Sequence, residues 1–121
     1  MLRVIGLCFV LAALAASGAA AESRAANAIG DRGRGKALIS AFACGGCHVI
    51  PGVRSGVGRS GPPLDNFGMR TTIAGVLPNT PAAMVRWLKN PQAVTPGNAM
   101  PNLGISQADA RDMTAYLESL K

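Results

Sequence analysis

The sequence is poor in aromatic residues and contains a single histidine. Aromatic side chains make up only 4% of the 121 residues, as one Trp, one Tyr and three Phe. So few large apolar side chains build a thin core, and the length allows one domain rather than two. The composition therefore excludes a large enzyme and a multidomain regulator. It predicts a small domain that gains apolar mass from a bound group.

The main apolar run of the chain is too short to span a bilayer. It covers residues 4–16, follows a basic start at Arg3 and ends near a run of alanines. This order is typical of a cleaved secretory signal peptide. We therefore expect residues 1–21 to be a signal peptide, 22–30 an N-terminal tail and 31–121 the functional domain. The mature protein is expected to be periplasmic and to have no membrane span.

Acidic residues are scarce as well. Twelve Lys and Arg against six Asp and Glu give a formal charge of +6, which becomes +5 when Arg3 leaves with the signal peptide. No basic stripe alternates with aromatic residues, so a nucleic-acid partner is not expected. Part of the charge serves solubility, and part could steer the protein toward acidic faces of its partners.

The two cysteines outside the signal peptide form the run Cys44-Gly45-Gly46-Cys47-His48. A zinc site needs about four ligands, and no second cluster exists. A disulfide across two residues closes a tiny loop and stabilises little. A thioredoxin-like pair expects a βαβ setting, which the flanking residues do not show. Covalent attachment of one haem c, with thioethers at Cys44 and Cys47 and His48 on the iron, explains the run best.

Helical patterns and capping residues predict an all-α domain with long loops. Asp31 is expected to cap a helix over residues 32–43, Thr80-Pro81 starts a second, and Ser106 caps a C-terminal helix. The stretches 50–68 and 92–105 are rich in Gly and Pro and are expected to be irregular. No strand is predicted.

Two glycines interrupt the first predicted helix. Gly33 and Gly35 either mark a frayed first turn, or Gly35 allows close approach of another helix. For the second alternative we expect Gly35 to meet Tyr116 and Leu117 of the C-terminal helix.

If the iron is six-coordinate, its second axial ligand must come from a residue other than histidine, and a Met thioether is the natural candidate. Packing or gap-filling explains three of the four methionines after the signal peptide: Met69, Met84 and Met113. Met100 differs because Pro96-Gly97 and Pro101 bracket it in a loop, where rigid turns can hold its side chain toward the iron. We therefore predict Met100 as the sixth ligand.

From Asp31 onward the sequence resembles the class I monohaem cytochromes c. Besides the Cys-x-x-Cys-His run, the family's Gly-Pro-x-Leu element is matched by Gly61-Pro62-Pro63-Leu64. Its Leu-x-Asn-Pro-x5-Pro-Gly-x-x-Met run is matched from Leu88 to Met100. The resemblance implies a class I cytochrome c fold, with about three to five short helices and long loops wrapped around one covalent haem c.

The resemblance also implies three supporting residues. The Pro62 carbonyl would orient the ring of His48, Arg70 would lie near a haem propionate, and Trp87 would pack beside the Met ligand. The amino-acid sequence around Met100 is similar to that of bacterial cytochromes that work with terminal oxidases.

With two protein ligands on the iron no position is left for a substrate, so an electron-transfer protein rather than an enzyme is expected. The first alternative is a periplasmic carrier that exchanges electrons with a terminal oxidase, a cytochrome bc1-type complex or a periplasmic dehydrogenase. The second is a permanently docked haem c subunit of such an oxidase or dehydrogenase. A five-coordinate gas-binding or peroxidatic haem protein is a third. The mature protein is expected to be a monomer or a complex subunit.

Overall fold

The computed structural model describes residues 30–54 and 58–121. The predicted signal peptide and tail residues 22–29 lie outside the described residues. The described chain is mostly helical with long loops, as predicted. Its elements are α1 Arg32–Ala41, two 3-10 turns at Cys44–Gly46 and Phe67–Met69, β1 Thr72–Ile73, β2 Leu77–Pro78, α2 Pro81–Lys89, α3 Pro91–Val94 and α4 Gln107–Leu117. None of the helices in this part of the chain is long and apolar enough to cross a membrane.

Helix α1 begins as predicted and ends two residues early. The Asp31 carboxylate accepts a hydrogen bond from the Arg34 N–H at 2.6 Å and so caps the helix. At the other end Ala43 has a φ of 55°, in the left-handed region. Because a left-handed residue cannot continue a right-handed helix, the chain turns there directly into the Cys44–Gly46 segment.

Helices α2 and α4 also begin at their predicted caps. The Thr80 hydroxyl accepts from the Ala83 N–H at 3.2 Å, and the Ser106 hydroxyl accepts from the Asp109 N–H at 3.1 Å. Helix α2 ends at Lys89, directly before the Asn90-Pro91 pair, as predicted.

A one-turn helix and a pair of short strands were not predicted. Pro91 was expected to lead into an irregular loop, but it starts the one-turn helix α3, because the Asn90 side chain accepts from the Ala93 N–H at 2.9 Å. Strands β1 and β2 form a two-residue antiparallel pair. So short a pair is below the length at which an alternating pattern can be recognised in a sequence.

The first and last helices cross with their backbones in contact. A Cβ on Gly35 would lie 1.8 Å from the Asp112 carbonyl oxygen. The prediction that Gly35 permits close approach of another helix is therefore confirmed. The atoms nearest to that Cβ belong to the backbone of Asp112 and Met113, one turn before Tyr116, so the expected contact with Tyr116 and Leu117 stays a prediction. The Tyr116 hydroxyl donates to the Pro51 carbonyl at 2.5 Å.

Charged groups hold the same crossing. The Asp112 carboxylate accepts from the Asp31 N–H at 2.7 Å and from the Arg34 guanidinium, which also pairs with Asp109 at 2.6 Å. The Ser106 hydroxyl and then the Arg34 guanidinium lower the pKa of Asp109. These groups join α4 to the start of α1.

Two of the methionines lie in the core as predicted, and a third does not. Met84 and Met113 are enclosed in the core, beside Ile39, Trp87 and other apolar side chains of the helices. Met69 was expected to fill a gap, but 66% of its surface is exposed. The 3-10 turn at Phe67–Met69 places the Phe67 side chain inward and the Met69 side chain outward.

Candidate haem-binding site

The Cys44–His48 segment forms a tight turn directly after α1. The carbonyl of Cys44 accepts from the N–H groups of both Cys47 and His48, at 3.2 and 3.0 Å. The two sulfurs are free thiols, which argues against the disulfide alternative. Burial raises the pKa of the Cys44 thiol, whereas Cys47 is exposed. The described residues contain no group of three or more His, Cys, Asp or Glu side chains that could hold a metal ion such as zinc.

The ring of His48 is oriented by the backbone of the next loop. Its Nδ1 lies 2.7 Å from the Pro62 carbonyl oxygen. Because a carbonyl only accepts, Nδ1 carries the proton, and the lone pair is on Nε2. The Pro62 contact inferred from the resemblance is therefore present, and it leaves Nε2 as the nitrogen able to bind iron.

Gly61 makes this arrangement possible. A Cβ at Gly61 would lie 2.4 Å from Cε1 of the His48 ring, far inside van der Waals contact. The Gly61 N–H donates to the Cys47 carbonyl at 2.8 Å, so the loop is fastened to the cysteine turn itself. Only a glycine fits between the turn and the imidazole.

Arg70 binds the backbone of the same loop. Its guanidinium donates to the Asp65 carbonyl at 2.9 Å and to the Pro63 carbonyl, and it lies over the Phe67 ring at 5.7 Å. The Asn79 amide donates to the carbonyls of Phe67 and Arg70, at 2.9 and 3.0 Å. Arg70 therefore fixes the segment that follows Pro62, and its contact with a haem propionate stays a prediction.

Met100 is the only methionine in the described chain that is both half-buried and in a loop. It packs against the core cluster that contains Trp87, whose side chain is buried. Gly97 has a φ of 79°, so the turn before Met100 uses a left-handed conformation that suits glycine. The Met100 N–H donates to the Asn98 side chain at 2.8 Å. The loop that carries this thioether is thus held by specific contacts.

Two amide side chains that bind the backbone of this loop were missed by the sequence analysis. Gln92 and Asn98 make several hydrogen bonds to backbone groups between Pro91 and Met100. The one signal for them was the presence of two amide residues within a short Pro- and Gly-containing segment, where no regular structure satisfies the backbone.

The donor set fits a haem c. Two thiols at the Cys-x-x-Cys spacing suit thioether attachment, and imidazole and thioether are the axial ligands of electron-transferring cytochromes c. The fixed Nδ1–H of His48 is the outer contact that orients a metal-binding histidine. The helical fold and this site together define a small haem-binding electron-transfer domain.

The cytochrome c family model matches residues 33–121. The chain therefore belongs to the cytochrome c family and has a class I cytochrome c fold, in which haem c transfers electrons.

Its curated relatives are larger proteins. The chain is 36% identical over 89 residues to cytochrome c oxidase subunit 2 of Alkalihalophilus pseudofirmus, across 73% of this chain and 25% of that protein. It is 39% identical over 84 residues to the same subunit of Bacillus sp. strain PS3, across 64% of this chain and 23% of that protein. The chain thus spans about a quarter of the length of these relatives. No solved structure matches it.

Proposed function

We propose that the protein is a periplasmic one-electron carrier that holds a single covalent haem c. Cys44 and Cys47 form the two thioethers, and His48 and Met100 are the axial ligands. The observation that carries this proposal is the hydrogen bond between His48 Nδ1 and the Pro62 carbonyl, because it engages Nδ1 and leaves Nε2 as the nitrogen able to bind a metal.

The cysteines attach the cofactor by addition. Each thiol would add across one vinyl group of the haem, so that the sulfur would bond to one carbon and the hydrogen to the other, with nothing released. The bound haem supplies a one-electron iron couple. The Met100 thioether raises its reduction potential by favouring ferrous iron. Two protein ligands exclude an exogenous substrate from the iron, and electron exchange is the chemistry that remains.

The exported location rests on residues 1–21. If they are a signal peptide, the protein recovered from the periplasmic fraction should begin at Glu22. An intact N-terminus on a cytoplasmic protein would contradict this part of the proposal.

Potentiometry tests the electron-transfer role. The purified haem protein should titrate as one reversible couple with a one-electron slope. It should also be oxidised rapidly by a terminal oxidase, with a rate that falls as salt is added, because the chain carries a net positive charge. A rate independent of salt would remove electrostatic steering from the proposal.

The second candidate is a permanently docked haem c subunit of a terminal oxidase or a dehydrogenase. The relatives favour the oxidase, since those matched are subunits 2 of cytochrome c oxidases. Size-exclusion chromatography of a native extract separates the two candidates. Haem that elutes at the size of one small chain supports the free carrier, and haem that elutes with a large oxidase complex supports the docked subunit.

A further inference from the structure

One glutamine side chain bridges the loop that carries Met100. Gln92 lies in the first turn of α3, and its Nε2 donates to the carbonyls of Asn98 and Met100, both at 2.8 Å. Its Oε1 accepts from the Gly97 N–H at 3.0 Å. Both Nε2 protons and the carbonyl oxygen of this one amide are therefore used on three loop positions.

The backbone of Gln92 is tied to the far side of the same loop. Its N–H donates to the Asn102 side chain at 3.3 Å, beyond Met100 in sequence. The contacts of Gln92 thus lie on both sides of the ligand-bearing residue, and they connect it to α3, which follows the core helix α2.

Asn98 completes the arrangement. Its Nδ2 donates to the Pro91 and Thr95 carbonyls at 3.1 and 2.7 Å, and its Oδ1 accepts from the Met100 N–H. Both backbone polar groups of Met100 are therefore held by amide side chains, the N–H by Asn98 and the carbonyl by Gln92. The contacts of Met100 with these two amides are partly buried, where hydrogen bonds are less weakened by water.

We propose that Gln92 is a positioning residue that keeps the Met100 loop closed, so that the thioether stays on the iron. The inference rests on the proposed function, in which Met100 is an axial ligand. Gln92 does not touch the iron. It acts through the backbone of Gly97, Asn98 and Met100, and its loss increases the fraction of molecules in which the Met100 bond is open.

Imidazole binding to the ferric haem protein measures that fraction. An added ligand binds where Met100 has left, and its apparent dissociation constant is the intrinsic constant divided by the open fraction. Gln92→Leu removes three hydrogen bonds, and even at the lower end of their usual net strength this loss should raise the open fraction about tenfold. Gln92→Leu should therefore bind imidazole at least about tenfold more tightly.

A second variant, Gln92→Glu, tests the same role in case Gln92→Leu does not fold. Gln92→Glu has nearly the same size and keeps an acceptor for the Gly97 N–H. At pH 7 it places a carboxylate oxygen where Nε2 had donated to two carbonyls, so imidazole affinity should rise at least as much as in Gln92→Leu. Gln107→Leu is the matched control, because the Gln107 amide accepts from Lys89 at 2.9 Å, outside the Met100 loop. Its imidazole affinity should equal that of the unmutated protein.

Met100→Ala tests the assignment of Met100 as a ligand separately from the positioning role of Gln92. It should bind imidazole most tightly of all, since no thioether competes. If it binds imidazole no more tightly than the unmutated protein, the ligand assignment fails and the role of Gln92 falls with it. If Met100→Ala binds tightly while both Gln92 variants match Gln107→Leu, the ligand assignment stands and the positioning role of Gln92 is overturned.

Discussion

The contact between α1 and α4 gives the sharpest prediction for stability. In Gly35→Ala the new Cβ would lie 1.8 Å from the Asp112 carbonyl oxygen and 2.4 Å from its carbon. Real Cβ contacts essentially never fall below 3.0 Å, so the helices must separate by at least 1.2 Å, the difference between 3.0 and 1.8 Å. The obstacle is helix backbone, which cannot rotate out of the way as a side chain can.

Overpacking of a core contact costs about 1–3 kcal/mol, and a backbone obstacle places this case at the upper end. Alanine gains up to about 1 kcal/mol over glycine in a helix, so the net loss should be about 2 kcal/mol. The separation also stretches the Arg34 and Asp31 contacts with Asp112. In a domain of this size the melting temperature should fall by roughly 8–16 °C.

Thermal unfolding followed by circular dichroism measures the effect, and Gly33→Ala is the matched control. Gly33 lies in the same helix, but a Cβ there would meet only the Asp31 side chain, at 3.3 Å. Gly33→Ala should therefore melt at the unmutated temperature or slightly above. The haem absorption spectrum of Gly35→Ala should be unchanged, because the contact is not at the cysteines. A Gly35→Ala melting temperature equal to that of Gly33→Ala would refute the backbone-contact argument.

Three further predictions concern the haem and one buried carboxyl. Cys47→Ser should leave haem held by one thioether or lose it during maturation, whereas acid-acetone extraction should remove no haem from the unmutated protein; complete extraction would contradict covalent attachment. Met100→Ala should lower the reduction potential and allow carbon monoxide to bind the ferrous form, and retention of the far-red thioether-to-iron band would show that another ligand is used. Glu118 has a carboxyl oxygen buried without a hydrogen-bond partner among the described residues, and burial raises its pKa. The unfolded chain then releases this proton at lower pH than the folded one, so stability should fall as pH rises from the ordinary value of 4.5 toward the raised pKa. The melting temperature of Glu118→Gln minus that of the unmutated protein should therefore be larger at pH 7 than at pH 4, and a difference that does not change with pH would contradict the argument.

Local chemistry made several features predictable. The caps at Asp31, Thr80 and Ser106 were identified correctly, because a capping side chain reaches only three residues along the chain. Helix α3 was missed because Asn90-Pro91 both ends one helix and caps the next, and the stop signal alone was recognised.

Part of the candidate site was also visible in the sequence. The Cys-x-x-Cys-His run and the Pro-bracketed Met100 are patterns of residues close together in the chain, so the amino-acid sequence alone displays them. The resemblance to a family supplied the Pro62 contact with His48, which the folded chain contains. Gln92 was overlooked, because nothing in a single glutamine indicates that its amide will reach three positions of the loop that follows.

The sequence by itself determined the fold class, the starts of three of the four helices and the haem-binding run at Cys44–His48, since the helix caps and the run depend on residues that are neighbours in the chain. Only the tertiary structure decided the register of the helix crossing. Asp31 and Asp112 are 81 positions apart, and no local pattern shows that the Gly35 backbone meets the Asp112 carbonyl. The Arg34 pairs and the core packing fix this register, and these contacts exist only once the chain has folded.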